Sequence, residues 1–168
     1  MKVLAKTYIS ANLRGIETLY NSATSPRKSL FYSKLAILEL CGWIEVSMDR
    51  MVECCASRNL KNRVNIVGVG SRIKRTYGFD YERHFRELVV SVIGLKSVEK
   101  VERSLDVTKF SRLTAALTAL KTNRDNQAHT YIKGTTLILD APSLTRTRFE
   151  DVYEGLSNFD NTMRKLGF

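Results

Sequence analysis

Ser29-Leu-Phe-Tyr-Ser-Lys-Leu-Ala-Ile-Leu-Glu-Leu-Cys-Gly-Trp-Ile-Glu-Val-Ser-Met-Asp-Arg-Met-Val-Glu-Cys-Cys-Ala56 decides the fold class. Leu30, Ile37, Cys41, Ile44, Met48, Met51 and Cys55 recur at helical spacing, mostly three or four residues apart, and make the apolar stripe of a long amphipathic helix. Glu45, Asp49 and Glu53 follow at i, i+4 and i+8 and are expected to form the opposite, solvated ridge. Glu39 is placed on the flank of the stripe. It is expected to be structural, either as an across-bundle partner for an arginine or as a supporting acid. Cys41, Cys54 and Cys55 are the only cysteines. Adjacent cysteines on a helix do not pair comfortably and have no zinc spacing, so all three are expected to be apolar thiols in a reducing compartment.

Four more helical segments flank this one. The first is expected over about residues 3–20, with Leu4, Tyr8, Ala11, Gly15 and Leu19 on its inner face, and Pro26 marks the break after it. Asp80 is placed to cap a third helix running to about Lys96, with Phe85, Leu88, Val89 and Val92 inward. A fourth begins near Ser104–Asp106 and buries Phe110, Leu113, Leu117 and Leu120. A fifth follows Ala141-Pro142, with Ser143 or Thr145 as cap and Phe149, Val152, Tyr153, Leu156, Phe159, Met163 and Leu166 inward. Residues 57–79 carry no clear period and are expected to be a basic loop or insert. Gly68-Val69-Gly70 has no preceding strand and is read as part of it, not as a nucleotide site. Thr135–Leu139 is the one strand-like stretch, and one strand builds no sheet. The expected architecture is all-α: a single-domain, up-and-down bundle of about five helices over residues 1–168.

Composition narrows the function classes. Gly and Pro together number 11 of 168 residues, which disfavours a turn-rich β fold. The longest charge-free run, Thr18–Pro26, is nine residues, far short of a membrane span, and the start lacks a secretory apolar core. A cytoplasmic, membrane-free protein is therefore expected. The formal charge is +10, and Arg58, Lys61, Arg63, Arg72, Lys74, Arg75, Arg83 and Arg86 stand against only Asp80 and Glu82. Such a concentrated field suits a phosphate-bearing polyanion, with Arg58, Lys61, Arg63, Arg72, Lys74 and Arg75 as candidate RNA contacts. A membrane surface fits less well, because Gly68, Gly70 and Gly78 interrupt the block.

The chemistry is concentrated in Leu117–Tyr131. Arg124 falls four residues after Leu120 on the buried line of the fourth helix, so its permanent charge needs a partner or an opening to solvent. A terminal arginine snorkelling from the bundle is the plainer alternative. Asp125 and His129 are four apart, about 40° around a helix, so the carboxylate can orient the imidazole. Arg124 and His129 are five apart, about 140° around the axis. Either the helix bends there or a second subunit completes the site. Asn126 is a candidate for a phosphate oxygen or a base edge. His84, on the flank of the third helix, is expected to be structural.

Arg124-x4-His129, with a polar residue after the arginine and Ala128 before the histidine, resembles the Rx4-6H motif of the HEPN superfamily: small helical bundles, many of them RNA-cleaving toxins or antiviral-defence effectors. The resemblance implies a metal-independent endoribonuclease that needs no cofactor. His129 would be the general acid/base, Arg124 would stabilise charge at phosphorus, and Asp125 would support them. It also implies a homodimer that brings two motifs to one cleft. Tyr131 extends the pattern to Arg-x4-His-x-Tyr, which is similar to HEPN toxins modified on that tyrosine by a nucleotidyltransferase antitoxin. By itself, Tyr131 is expected to pack beside the motif. Asp125 departs from the family's asparagine, and the 57–79 block makes the chain longer than the compact toxins. Two other functions fit the same residues: a catalytically idle HEPN-type RNA-binding or dimerisation module, and a helical regulatory protein with no nucleic-acid role.

Overall fold

The computed structural model describes residues 4–128, 131–134 and 138–168. Among these the chain is all-helical, with seven α-helices: α1 (Thr7–Asn21), α2 (Pro26–Asn59), α3 (Arg63–Ile73), α4 (Glu87–Ile93), α5 (Leu95–Arg103), α6 (Val107–Ala128) and α7 (Pro142–Lys165). A single π-helical stretch, Tyr81–Arg86, leads into α4.

The long α2 is the central post. Ser25 caps it by accepting from the Lys28 N–H, and Pro26 occupies its first turn, where a missing N–H costs nothing. Ala36, Ile37, Leu40, Cys41, Ile44, Met51, Val52 and Cys55 are all at most 2% exposed, a band wide enough to contact α1, α3, α4, α6 and α7. On the far side, α6 and α7 pack along their length through Leu113, Leu117 and Leu120 and through Phe149, Val152, Leu156, Phe159 and Met163. The buried apolar residues form one continuous core from Leu4 to Met163. No helix among the described residues is long and apolar enough to cross a membrane.

Four local expectations are corrected. Residues 57–79 are not one loop: 57–59 end α2 and 63–73 are helical, which leaves only the short links 60–62 and 74–79. Asn62 caps Val64 N–H at 2.9 Å and starts α3, which Val69 and Ile73 fasten to the core. Gly68 and Gly70 weaken that helix by about 1 kcal/mol each relative to Ala, but two buried aliphatics four residues apart outweigh the propensity. The third helix does not reach Lys96. Gly94 adopts φ +81°, the chain turns, and α5 begins anew.

α1 turns a different face inward: Ile9, Leu13 and Ile16 are buried, whereas Tyr8 is 82% exposed and Leu19 is half exposed. The three aliphatics make a tight i, i+4, i+7 line, and the face expected for burial lies about a third of a turn from it. Neither Ser143 nor Thr145 caps α7. Ala141 holds the cap position in extended geometry and Pro142 supplies the first turn.

Asp80 caps as expected, accepting from the Arg83 N–H at 3.0 Å, and Asp106, at the expected start of α6, accepts from the Lys109 N–H at 3.0 Å. The strand-like stretch falls partly outside the described residues, and Ile138 is 94% exposed with no strand assigned.

Candidate functional site

Arg124 sits on α6 where the apolar line Leu113–Leu117–Leu120 reaches the edge of the bundle. Its side chain is three-quarters buried and the guanidinium is caged. Nη1 donates to Glu45 Oε1 on α2 at 2.5 Å, while Nη2 and Nε donate to Asp125 Oδ1 at 3.0 and 3.2 Å. Its central carbon lies 5.0 Å from the centre of the Phe79 ring, a cation–π contact that closes another side. An arginine at the end of a core line thus obtains the partners that burial demands.

Glu45 supplies that partner, and Glu39 does not: Glu39 Oε1 accepts from Asn12 Nδ2 on α1 at 2.7 Å. Counting about 100° per residue from Ile37, Glu45 lies about 80° from the centre of the α2 stripe and Glu39 about 160°. Glu45 is therefore at the edge of the buried face and looks toward α6, and Glu39 looks toward α1. The acidic ridge is correspondingly not a freely solvated face, since Glu45 and Asp49 are half-buried.

Burial, with Glu53 and Glu45 beside it, pushes the Asp49 carboxyl up to about 6. Its folded value lies above the ordinary 3.8, so the folded protein holds this proton while the unfolded chain releases it. Stability therefore falls as pH rises from about 4 to about 6, and the penalty persists above that window. Asp49→Asn is expected to stabilise the protein by about 1 kcal/mol at pH 8, the full shift being discounted because the carboxyl is partly solvated. It should change nothing at pH 3.5. Urea melts at the two pH values check this.

The segment before α4 brings His84 to the cage. Gly78 has φ +116°, and a Cβ there would lie 2.8 Å from His84 Cε1 and 3.8 Å from Arg124 Nη2. Glycine is required on both counts, conformation and space. His84 Nδ1 accepts from the Asp80 N–H at 3.1 Å, which leaves Nδ1 unprotonated and puts the ring proton on Nε2. Lys121, one turn before Arg124, lies 3.6 Å from Asp80 and ties α6 to the same segment. His84 is anchored through Nδ1, and it stands beside Arg124. Sequence reading missed this neighbourhood because forty residues separate the two and only the turn at Gly78 joins them.

The other expected site residues are dispersed. His129 lies outside the described residues. α6 is helical without a break from Val107 to Ala128. Asn126 is exposed. Tyr131 is 76% exposed and does not pack. Arg58 is drawn into structure, donating to the Phe168 carbonyl oxygen at 3.2 Å and lying 3.9 Å from Asp160. Lys61, Arg63, Arg72, Lys74 and Arg75 are exposed along α3 and its ends. Cys41 and Cys55 are buried and Cys54 is partly buried, all as free thiols. Burial pushes the Cys41 thiol up to about 12, so it is no nucleophile at neutral pH.

After α6 the chain is held by Asp140, whose Oδ2 accepts from Asn123 Nδ2 at 2.7 Å and from Arg148 Nη1. No group of three or more potential metal ligands occurs among the described residues. Compared with family models, curated proteins and solved structures, the chain matches none.

Proposed function

We propose that the chain is a metal-independent endoribonuclease of the HEPN type, acting as a toxin or antiviral-defence effector. The observation that carries this reading is Arg124. Its guanidinium is fixed in position near the C-terminal end of α6 by Glu45, Asp125 and Phe79, and it precedes His129 by five residues in the chain. A preorganised cation next to a histidine is what phosphodiester transfer to a 2′-hydroxyl requires. The 2′-oxygen attacks phosphorus, the bond to the 5′-oxygen breaks, and a 2′,3′-cyclic phosphate and a free 5′-hydroxyl result. One group takes the 2′-hydroxyl proton and another gives a proton to the departing 5′-oxygen. Two copies of His129 in a two-fold dimer supply both, and two copies of Arg124 stabilise the charge between them. The exposed basic residues of α3 draw RNA in. Tyr131, exposed beside the motif, is open to modification by a nucleotidyltransferase-type antitoxin.

Incubation of RNA with the purified protein in excess chelator tests the proposal. Fragments ending in 2′,3′-cyclic phosphate are the expected product. Intact RNA would leave the second reading, a catalytically idle HEPN-type RNA-binding or dimerisation module. That reading is favoured by one observation: Nη1, Nη2 and Nε of Arg124 are all engaged by protein carboxylates.

A further inference from the structure

A pocket of about 310 Å³ opens between the C-terminal end of α3 and the start of α4, with Arg72 and Arg75 on one side and Arg83, His84 and Glu87 on the other. The partly buried guanidiniums of the bundle are neutralised: Arg58, Arg86, Arg124, Arg148 and Arg164 each lie within 4 Å of a carboxylate. Among the described residues Arg72, Arg75 and Arg83 have no such partner. Asp80, which feels the charge of Arg83, is already occupied by the Arg83 backbone N–H and by Lys121, and Glu87 is the one acid in the pocket lining.

Three like charges converging on one concavity repel each other unless an anion screens them. The neutral donors are used up: Thr76 Oγ1 donates to Arg72 O at 3.0 Å and Ser91 Oγ to Leu88 O at 2.7 Å. What remains is three guanidiniums and the Nε2–H of His84, all donors and no free acceptor but Glu87.

We propose that this pocket binds a dianionic phosphate monoester. Three guanidiniums against one carboxylate, with His84 neutral, leave a surplus of two positive charges. A monoester carries close to two negative charges at neutral pH, whereas the diester links of a nucleic-acid chain carry one each. Guanidinium forks hold the terminal oxygens two at a time, and the volume is at the small end of small-molecule sites, with room for the sugar beyond the phosphate. The partial negative charge at the α3 C-terminus opposes this, and it is about half a charge against the surplus of two. His84 connects the pocket to the Arg124 cage through Gly78. The inference does not depend on cleavage, since a protein that cuts nothing can hold a phosphate here.

Two sources share this chemistry, a free mononucleotide and the 5′-phosphorylated end of an RNA, and calorimetry on the full chain separates them. One pair of ligands is AMP and adenosine. The other is a 2′-O-methyl oligonucleotide with and without a 5′-phosphate, which lacks the hydroxyl needed for cleavage. In at least one pair the phosphorylated member is expected to bind tenfold tighter or more, and the pair in which it does identifies the source.

Arg75→Ala combined with Arg83→Ala should abolish the preference with the helical circular-dichroism signal unchanged, because neither side chain has a partner to lose. Glu87→Gln should enlarge the preference, and it keeps the proposal testable if the double variant folds poorly. Equal affinity within both pairs overturns the proposal, as does a preference that survives the arginine substitutions or shrinks in Glu87→Gln.

Discussion

Arg124→Ala is expected to lower RNA cleavage by about 10²–10³-fold, and His129→Ala by about 10²–10⁴-fold, the ranges set by loss of a charge-stabilising donor and of a positioned acid/base. Arg124 needs further separation, because its cage gives it structural work as well. Removing the guanidinium strands Glu45, whose side chain is 37% exposed. The pair lies between the surface case, worth under about 1 kcal/mol, and the buried case, where stranding one partner costs about 3–5, so a loss of about 1–2 kcal/mol is expected.

Glu45→Gln distinguishes the two roles. If Arg124 serves only to hold α2 against α6, Glu45→Gln and Arg124→Ala weaken stability alike, the double variant shows their coupling, and cleavage follows stability in every case. If Arg124 acts on phosphate, Glu45→Gln leaves the cation in place with one competitor fewer, and cleavage persists or rises while Arg124→Ala loses it. Arg124→Lys retains the charge without the fork that reaches Glu45 and Asp125 together, so it should recover stability better than activity. A cleavage rate that tracks thermal stability across all four proteins would refute the catalytic assignment of Arg124.

The legible parts of this fold are those where one helix buries one stripe. α6 and α7 follow their apolar lines, and Asp80 caps where its position ahead of the Phe85–Leu88–Val89–Val92 line indicates. α2 was harder, because a helix surrounded by five others has no single outer face. The ridge Glu45–Asp49–Glu53 reads as solvated if only one neighbour is imagined, yet Glu45 and Asp49 are half-buried in the packed bundle and only Glu53 is exposed. α3 was hidden by Gly68 and Gly70, whose poor propensity is overridden by packing that no local window contains. The break at Gly94 is written in the sequence but ambiguous, since an isolated glycine is tolerated within many helices. Arg124's need for a partner followed from its position alone. Which carboxylate answers it depends on how α2 is rotated against α6, and the angular arithmetic from Ile37 contains that answer. The approach of His84 to Arg124 depends on Gly78's left-handed turn, which no periodicity encodes.

Gly155→Val is expected to be the most destabilising single substitution remote from the site, at about 3 kcal/mol or more. Gly155 lies on the inner face of α7, opposite Leu113 of α6, and a Cβ there would come within 2.5 Å of Leu113 Cβ and 3.1 Å of its Cγ and Cδ2. The first of these is the decisive contact. A clash with the end of a flexible side chain relaxes by a rotamer change, whereas Cβ moves only with its helix, so α6 and α7 must separate or slide. Overpacking of this kind costs about 1–3 kcal/mol for a methyl group, and a branched residue adds to it.

In a chain of 168 residues about 3 kcal/mol corresponds to a fall in Tm of about 6–12 °C. Gly15→Ala and Gly42→Ala are the controls. Both positions are helical with open space at Cβ, and both substitutions should stabilise by about 0.5–1 kcal/mol through helix propensity. Thermal melts of the three variants therefore carry opposite signs for the same chemical change of adding carbon to a helical glycine. Because α6 also carries Arg124, any separation of the two helices shifts the guanidinium relative to Glu45, and Gly155→Ala should lose cleavage at temperatures where it is still fully folded. A Gly155→Val protein that melts with the wild type would mean that α6 and α7 do not meet at Leu113, and the positioning of Arg124 by this helix pair would fall with it.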